Sequence, residues 1–195
     1  MSGDGQAARR AGSGRDASGA RVTWTVADGA RGRRWRATTV GADGRLRAAL
    51  LLETDRAGGV VKLELATGAG LLTLHPEGDR LHGNAVRPDG IEHVSAPWRE
   101  SSMLLVAGST VTAAAAARLL GARVGVGEGH TIPALSIGED LAIVPVTLRV
   151  ARVRERRWRF LPAAGGPEVA VTLDDDGIAQ LEDGRTWPLE LEQHR

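Results

Sequence analysis

Val60-Val61-Lys62-Leu63-Glu64-Leu65 sets Val61, Leu63 and Leu65 on one side of an extended chain and Lys62 and Glu64 on the other. That period of two is the mark of a strand with one buried face. Short runs of the same kind extend in both directions. Upstream lie Val22 to Val26 around Trp24, Arg34 to Val40, and Arg45 to Thr54. Downstream come Leu71 to His75, Arg80 to Val86, Ile91 to Ser95 and Met103 to Ala107. Between runs stand Gly58-Gly59, Gly78-Asp79 and a recurring Asp-Gly pair, at Asp28-Gly29, Asp43-Gly44, Asp89-Gly90, Asp176-Gly177 and Asp183-Gly184. Asp-Gly suits hairpins because both residues accept positive φ. The first half therefore reads as an antiparallel meander of seven or eight strands.

One helix interrupts it. Val111 to Leu120 (VTAAAAARLL) has five consecutive alanines, Ser109 or Thr110 as N-cap, and Gly121 as a stop. Ten residues cannot hold a helix alone, so this one should lie across the sheet with Leu119, Leu120 and some alanines inward. Strands resume at Ala122 to Val126 and His130 to Ile137. Leu141 to Val150 is the longest apolar run, and Pro145 within it argues for an edge strand, a bulge or a fresh start at Val146. Trp158 to Leu161, Glu168 to Leu173, Ile178 to Leu181 and Thr186 to Leu191 close the chain. The expected class is all-β with minor α: an antiparallel split or half β-barrel with one short helix packed across the sheet.

Residues 1–20 contain no aromatic and no branched aliphatic side chain, so they read as a disordered tail ahead of a single domain, 21–195. In the 195-residue chain, 25 basic residues nearly balance 24 acidic ones, which gives no general field for nucleic acid. All the basic residues but Lys62 are arginine. Absence of cysteine excludes disulfides, thiol catalysis and thiolate metal sites. No run approaches the ~18 apolar residues of a membrane span, and no signal-peptide core begins the sequence, so a cytoplasmic protein is expected.

Little of the chain reads as chemistry. His75, His82 and His93 fall close together, but the His-x-His pattern of barrel metal sites is missing. They leave open a small barrel enzyme built on His82 and His93, with or without a metal. No serine sits in a Gly-x-Ser-x-Gly elbow. Gly125-Val126-Gly127-Glu128-Gly129 has no following Lys-Ser/Thr and reads as a turn between strands. Arg149, Arg152, Arg154, Arg156, Arg157 and Arg159 surround Trp158 and could grip an anion or nucleic acid, although a solvated strand face is the plainer reading. Of the five tryptophans, Trp98 follows Pro97 between strands and is placed at a cavity mouth. Trp24, Trp35, Trp158 and Trp187 are placed in the core.

The second half has a recognisable order. Thr110-Val111-Thr112 leads through alanines to Arg118-Leu119-Leu120, then Gly127-Glu128-Gly129 and Pro133-Ala134-Leu135-Ser136-Ile137. Arg156-Arg157-Trp158-Arg159-Phe160 follows, and Val171-Thr172-Leu173-Asp174-Asp175-Asp176-Gly177-Ile178 ends the series. With Arg34-Trp35-Arg36 as an opening strand, this resembles a family of bacterial cytoplasmic proteins named for glycolipid binding, over Arg33 to Leu189. The chain departs from that family at Thr112-Ala113, where Thr-Asn is usual. It also has Val94-Ser95-Ala96-Pro97 in place of an acidic pair, and Trp187-Pro188 in place of Tyr-Pro.

The resemblance implies a half-closed barrel similar to the lipoprotein localisation factors, whose concave sheet holds acyl chains. It implies non-enzymatic binding of an amphipathic small molecule, a glycolipid in particular, without cofactor, metal or nucleic acid. Leu50, Leu63, Leu65, Leu148 and Val150 would line the cleft. Thr112 and Arg118 are the rim residues it carries over, and Trp98 joins them as the expected mouth residue.

Overall fold

The computed structural model describes residues 9–16, 18–166 and 168–180. Two sheets are present among them. The large sheet runs in chain order as β1 (Arg9–Arg15), β2 (Arg21–Gly29), β3 (Gly32–Val40), β4 (Leu46–Asp55), β5 (Val60–Thr67), β6 (Gly70–Glu77), β7 (Arg80–Arg87) and β8 (Gly90–Pro97), every neighbour antiparallel. The short β9 (Met103–Val106) leads into α1 (Thr110–Leu120). Then come β10 (Gly129–Ile137), β11 (Ile143–Arg154), β12 (Arg157–Pro162), β13 (Val169–Leu173) and β14 (Ala179–Gln180). Strands β9 to β14 form the small sheet, curled into a half-barrel, in the order β14-β13-β12-β11-β10-β9.

Alternation builds the core. Val22, Trp24 and Val26 of β2 bury one face while Arg21, Thr23 and Thr25 point out, and Leu63 with Leu65, Leu72 with Leu74, and Leu148 with Val150 follow the same rule. Side chains of both sheets join one core with α1. The helix is buried on nearly every side, since nine of its eleven residues, including all five alanines, are enclosed. It rests on β9, β13 and β14, and its Leu119 backbone lies under the β4–β5 turn. There Gly58 has φ +91°, and an added Cβ would stand 3.0 Å from the Leu119 backbone. Only glycine fits both the conformation and the approach.

The sheets also meet at two rims. At one, Arg33 Nη1 donates to the Asp176 carbonyl (2.6 Å) and Arg10 bonds Asp174 (3.0 Å) and Asp176. At the other, Thr67 Oγ1 donates to the Glu139 carbonyl and Arg87 Nη1 to that of Asp140, both at 2.8 Å.

Several expectations need correction. The part of residues 1–20 that is described does not lie apart as a tail, because Arg9–Arg15 pairs with β2 from Arg9↔Ala27 to Arg15↔Arg21. Backbone pairing and the Arg10 ion pairs place it, neither of which shows in a run of apolar residues. The sheets are antiparallel except at β9–β10, which are parallel. Parallel neighbours need a long crossover, and α1 supplies it. Ala122 to Val126 is no strand: Arg123 and Val124 N–H close turns onto the Leu120 carbonyl, and of these five residues only Val124 is buried. Val61 faces solvent, because the β4–β5 register shifts between Glu53↔Lys62 and Thr54↔Val60 and leaves it as the bulged residue.

Pro145 sits where β11 has only β10 beside it, since pairing with β12 begins at Leu148. Thr186 to Leu191, Asp183-Gly184 and Trp187 lie outside the described residues. Among those described, no helix is long and apolar enough to cross a membrane.

Candidate functional site

The inner face of the large sheet meets the β9–α1 connection in a narrow apolar seam of about 50 Å³. Val22, Ala37, Ala48, Leu50 and Leu65 wall it from the sheet, Val106 and Val111 from the other side. Its mouth is polar, formed by Asp16, Thr39, Ser109 and Thr110. The mouth is also the start of α1. Ser109 occupies the N-cap with extended backbone (φ −96°, ψ 110°), yet its side chain makes no capping bond, and the first turn holds no acid. The first amides of α1 therefore keep part of the positive end of the helix dipole.

Thr112 anchors this corner. It is 1% exposed, and its Oγ1 accepts the Val106 N–H and donates to the Ser109 carbonyl, both at 3.1 Å. The hydroxyl fixes the entrance of the helix against β9 and does not sit at a rim. Trp98 is likewise enclosed, at 6% exposure, because it continues the inward parity of Ala96, and its backbone N–H is held by the Asp79 carbonyl (2.8 Å).

Arg118 lies at the other end of α1, about 9 Å along the axis from Thr112 at 1.5 Å per residue. It is half-buried, and its guanidinium makes no hydrogen bond or ion pair to a described residue. Burial depresses its pKa, Arg33 depresses it further, and Asp28 opposes both. Arg33 itself is fully engaged. Its Nε and Nη2 reach the two Asp28 carboxylate oxygens at 2.7 Å each, and the guanidinium lies 5.1 Å above the Trp35 ring. The three rim residues expected from the sequence are thus not brought together. Leu50, Leu63, Leu65, Leu148 and Val150 are all buried, packed into the one core that includes α1.

The histidines do line up, on the outer face of the large sheet. His75 pairs across strands with His82, and the rings of His75, His82 and His93 succeed one another at 6.5 and 6.4 Å. His93 Nδ1 meets Asn84 Oδ1 at 3.1 Å. Among the described residues no group of three or more ligating side chains is placed to hold a metal. Strand register, which the sequence left undetermined, creates this row.

The arginine run is largely spent on structure. Arg152 donates to the carbonyls of Gly121, Val124 and Glu155 and lies 5.3 Å over the Trp158 ring. Arg156 pairs with Asp175, and Arg159 Nε with Glu168 at 2.7 Å. Gly125 to Gly129 is a turn, closed by Glu128 accepting the Gly125 N–H at 2.9 Å. That bond, with help from His130, holds the Glu128 carboxyl below its usual pKa.

The curled half-barrel of β9 to β14 and the large sheet thus enclose α1 within one apolar core. A solved structure of a DUF1089 family protein from Pseudomonas aeruginosa has this fold: it is 14% identical, matches with a TM-score of 0.55, and the likeness covers 95% of each chain. No protein-family model and no curated protein matches the chain.

Proposed function

We propose that this chain is a non-enzymatic binding protein for an amphipathic small molecule, taken up between the inner face of the large sheet and the β9–α1 segment. The seam carries this reading: its walls are aliphatic, and its mouth presents hydroxyls, the Asp16 carboxylate and helix amides without a side-chain cap to a polar head group. Small-molecule sites usually measure ~300–1,000 Å³. The seam is far smaller at about 50 Å³, so uptake requires α1 to swing outward. For a buried helix α1 is lightly held. Its middle presents only alanine methyls, and its first turn depends on Val111 and Thr112. Glycolipid as the ligand class, and the cytoplasm as the location, come from the family resemblance and belong to the same proposal.

The test is direct. Protein purified under native conditions is examined by mass spectrometry for bound lipid and titrated with a fluorescent long-chain glycolipid. Bound lipid or a saturable fluorescence change is expected. Ala48→Leu, which fills the seam, should weaken binding about tenfold or more while leaving the melting temperature within a few degrees, since ~1.4 kcal/mol separates tenfold steps. No lipid and no fluorescence change would overturn the reading.

A further inference from the structure

The outer face of β1 to β3 forms a second concavity, of about 480 Å³, that the seam does not touch. We infer that this groove binds a sugar phosphorylated at both ends. Its polar lining is Arg21, Arg36, Ser13, Thr23, Thr25 and Thr38, without one acidic residue. Neither guanidinium, and none of the four hydroxyls, bonds to another described side chain or carbonyl. This sets the groove apart from other arginines of the large sheet. Arg34 is paired with Glu53 (2.7 Å), Arg33 is closed onto Asp28, and Arg15 holds the Gly19 carbonyl at 2.8 Å. The acid in the β1–β2 connection, Asp16, is occupied by Ser18 and by the Ala20 N–H.

Register places these groups in rows. Thr25 stands opposite Arg36, Thr23 opposite Thr38, and Ser13 opposite Thr23 on the other side. Arg21 and Thr25 are four residues apart on one strand, so the two arginines are rooted ~13 Å apart along it, at ~3.3 Å per residue. Cations therefore mark the two ends of the groove, and a band of hydroxyls lies between them. A guanidinium binds phosphate through paired N–H donors, while threonine hydroxyls both give and accept bonds to a sugar. The volume falls within the range of small-molecule sites. A nucleic-acid strand fits less well: no exposed aromatic lines the groove for base stacking, and the adjacent arginines are already engaged.

The experiment titrates the full chain with fructose 1,6-bisphosphate, glucose and inorganic phosphate, following backbone amides by NMR. Expected are saturable shifts at Thr23, Thr25 and Thr38 with the bisphosphate, at least tenfold weaker binding of the other two, and loss of ~10-fold or more in each of Arg21→Gln and Arg36→Gln. Thr25→Val, which keeps strand propensity, should lose a smaller factor. All three side chains are exposed, so folding is preserved. Equal binding of inorganic phosphate, unchanged affinity in both arginine variants, or no shift at all would overturn the assignment. None of these probes carries an alkyl chain, so their failure leaves the inner seam untouched, and failure of glycolipid binding leaves the groove untouched.

Discussion

Arg33 shows how one side chain carries consequences for both sheets. It is rooted in β3, grips Asp28 across the β2–β3 hairpin through two donors, covers Trp35, and reaches the Asp176 carbonyl of the β13–β14 turn. Its bonds to Asp28 hold that carboxyl below its usual pKa, against the opposing effect of burial. A carboxylate whose native pKa is depressed adds stability above its unfolded value, near 3.8, and that stability is lost as pH falls through the lower native value. Asp28→Asn should therefore cost ~2–3 kcal/mol at pH 7, less than for a fully buried pair because Asp28 is partly solvated and Asp176 still serves Arg33. The same variant should lose part of the acid-induced destabilisation below pH 3.8. Urea unfolding at pH 7 and at pH 3 measures both. Equal slopes with pH in wild type and variant would refute the linkage.

Among the elements, α1 is the one held mainly by its surroundings. Its alanines favour helix, but eleven residues without a side-chain cap or an N-terminal acid are marginal by themselves. Ser109→Asp places a negative charge at the open N-terminus and should add ~0.5–1 kcal/mol, raising the melting temperature by about 2 °C in a thermal scan. A fall in stability would mean that the first-turn amides are already satisfied. Gly121 does follow the last helical residue as the expected stop, but with φ −56° in the right-handed region, so the chain leaves α1 through further turns.

How far an element could be read from the sequence follows from where its stabilisation originates. The β5 alternation at Leu63 and Leu65, and the alanines of α1, carry their own signal. Strand β1 has no branched aliphatic side chain, and its Arg10 reaches Asp174 and Asp176 at the far end of the chain. Ala122 to Val126 imitates a strand through Val124 and Val126, but the Val124 carbonyl is claimed by Arg152, which lies 28 residues further on. Trp98 and Thr112 were legible as unusual residues, while their inward placement depended on strand parity and on a bond to Val106.

Across the whole molecule, the two sheets are joined differently at their rims and at their middle. At the rims, side chains reach backbone carbonyls of the opposite sheet: Arg33 to Asp176 at one, Thr67 to Glu139 and Arg87 to Asp140 at the other. In the middle they are joined through α1, which contributes a row of alanine methyl groups between Val111 at its start and Leu119 and Leu120 at its end. A buried methyl contributes roughly 0.8 kcal/mol, whereas a fully buried leucine contributes ~1.5–3 kcal/mol, so a turn of alanines separates from its neighbours more easily than a turn of leucines. Proteins open in parts, and the parts with the least buried apolar surface open first. Hydrogen exchange at neutral pH should consequently find α1 and β9 protected by a smaller free energy than β3 to β7, by about 2 kcal/mol or more. Val111 and Thr112 should exchange before Leu119 and Leu120, because the seam opens at the uncapped end. Binding of a long-chain amphipath would then raise protection along the exposed inner face of β2 to β5 while α1 stays open. Protection of α1 equal to that of the large sheet would mean that the concavity is permanently filled, and the seam would then be a packing defect of an ordinary core.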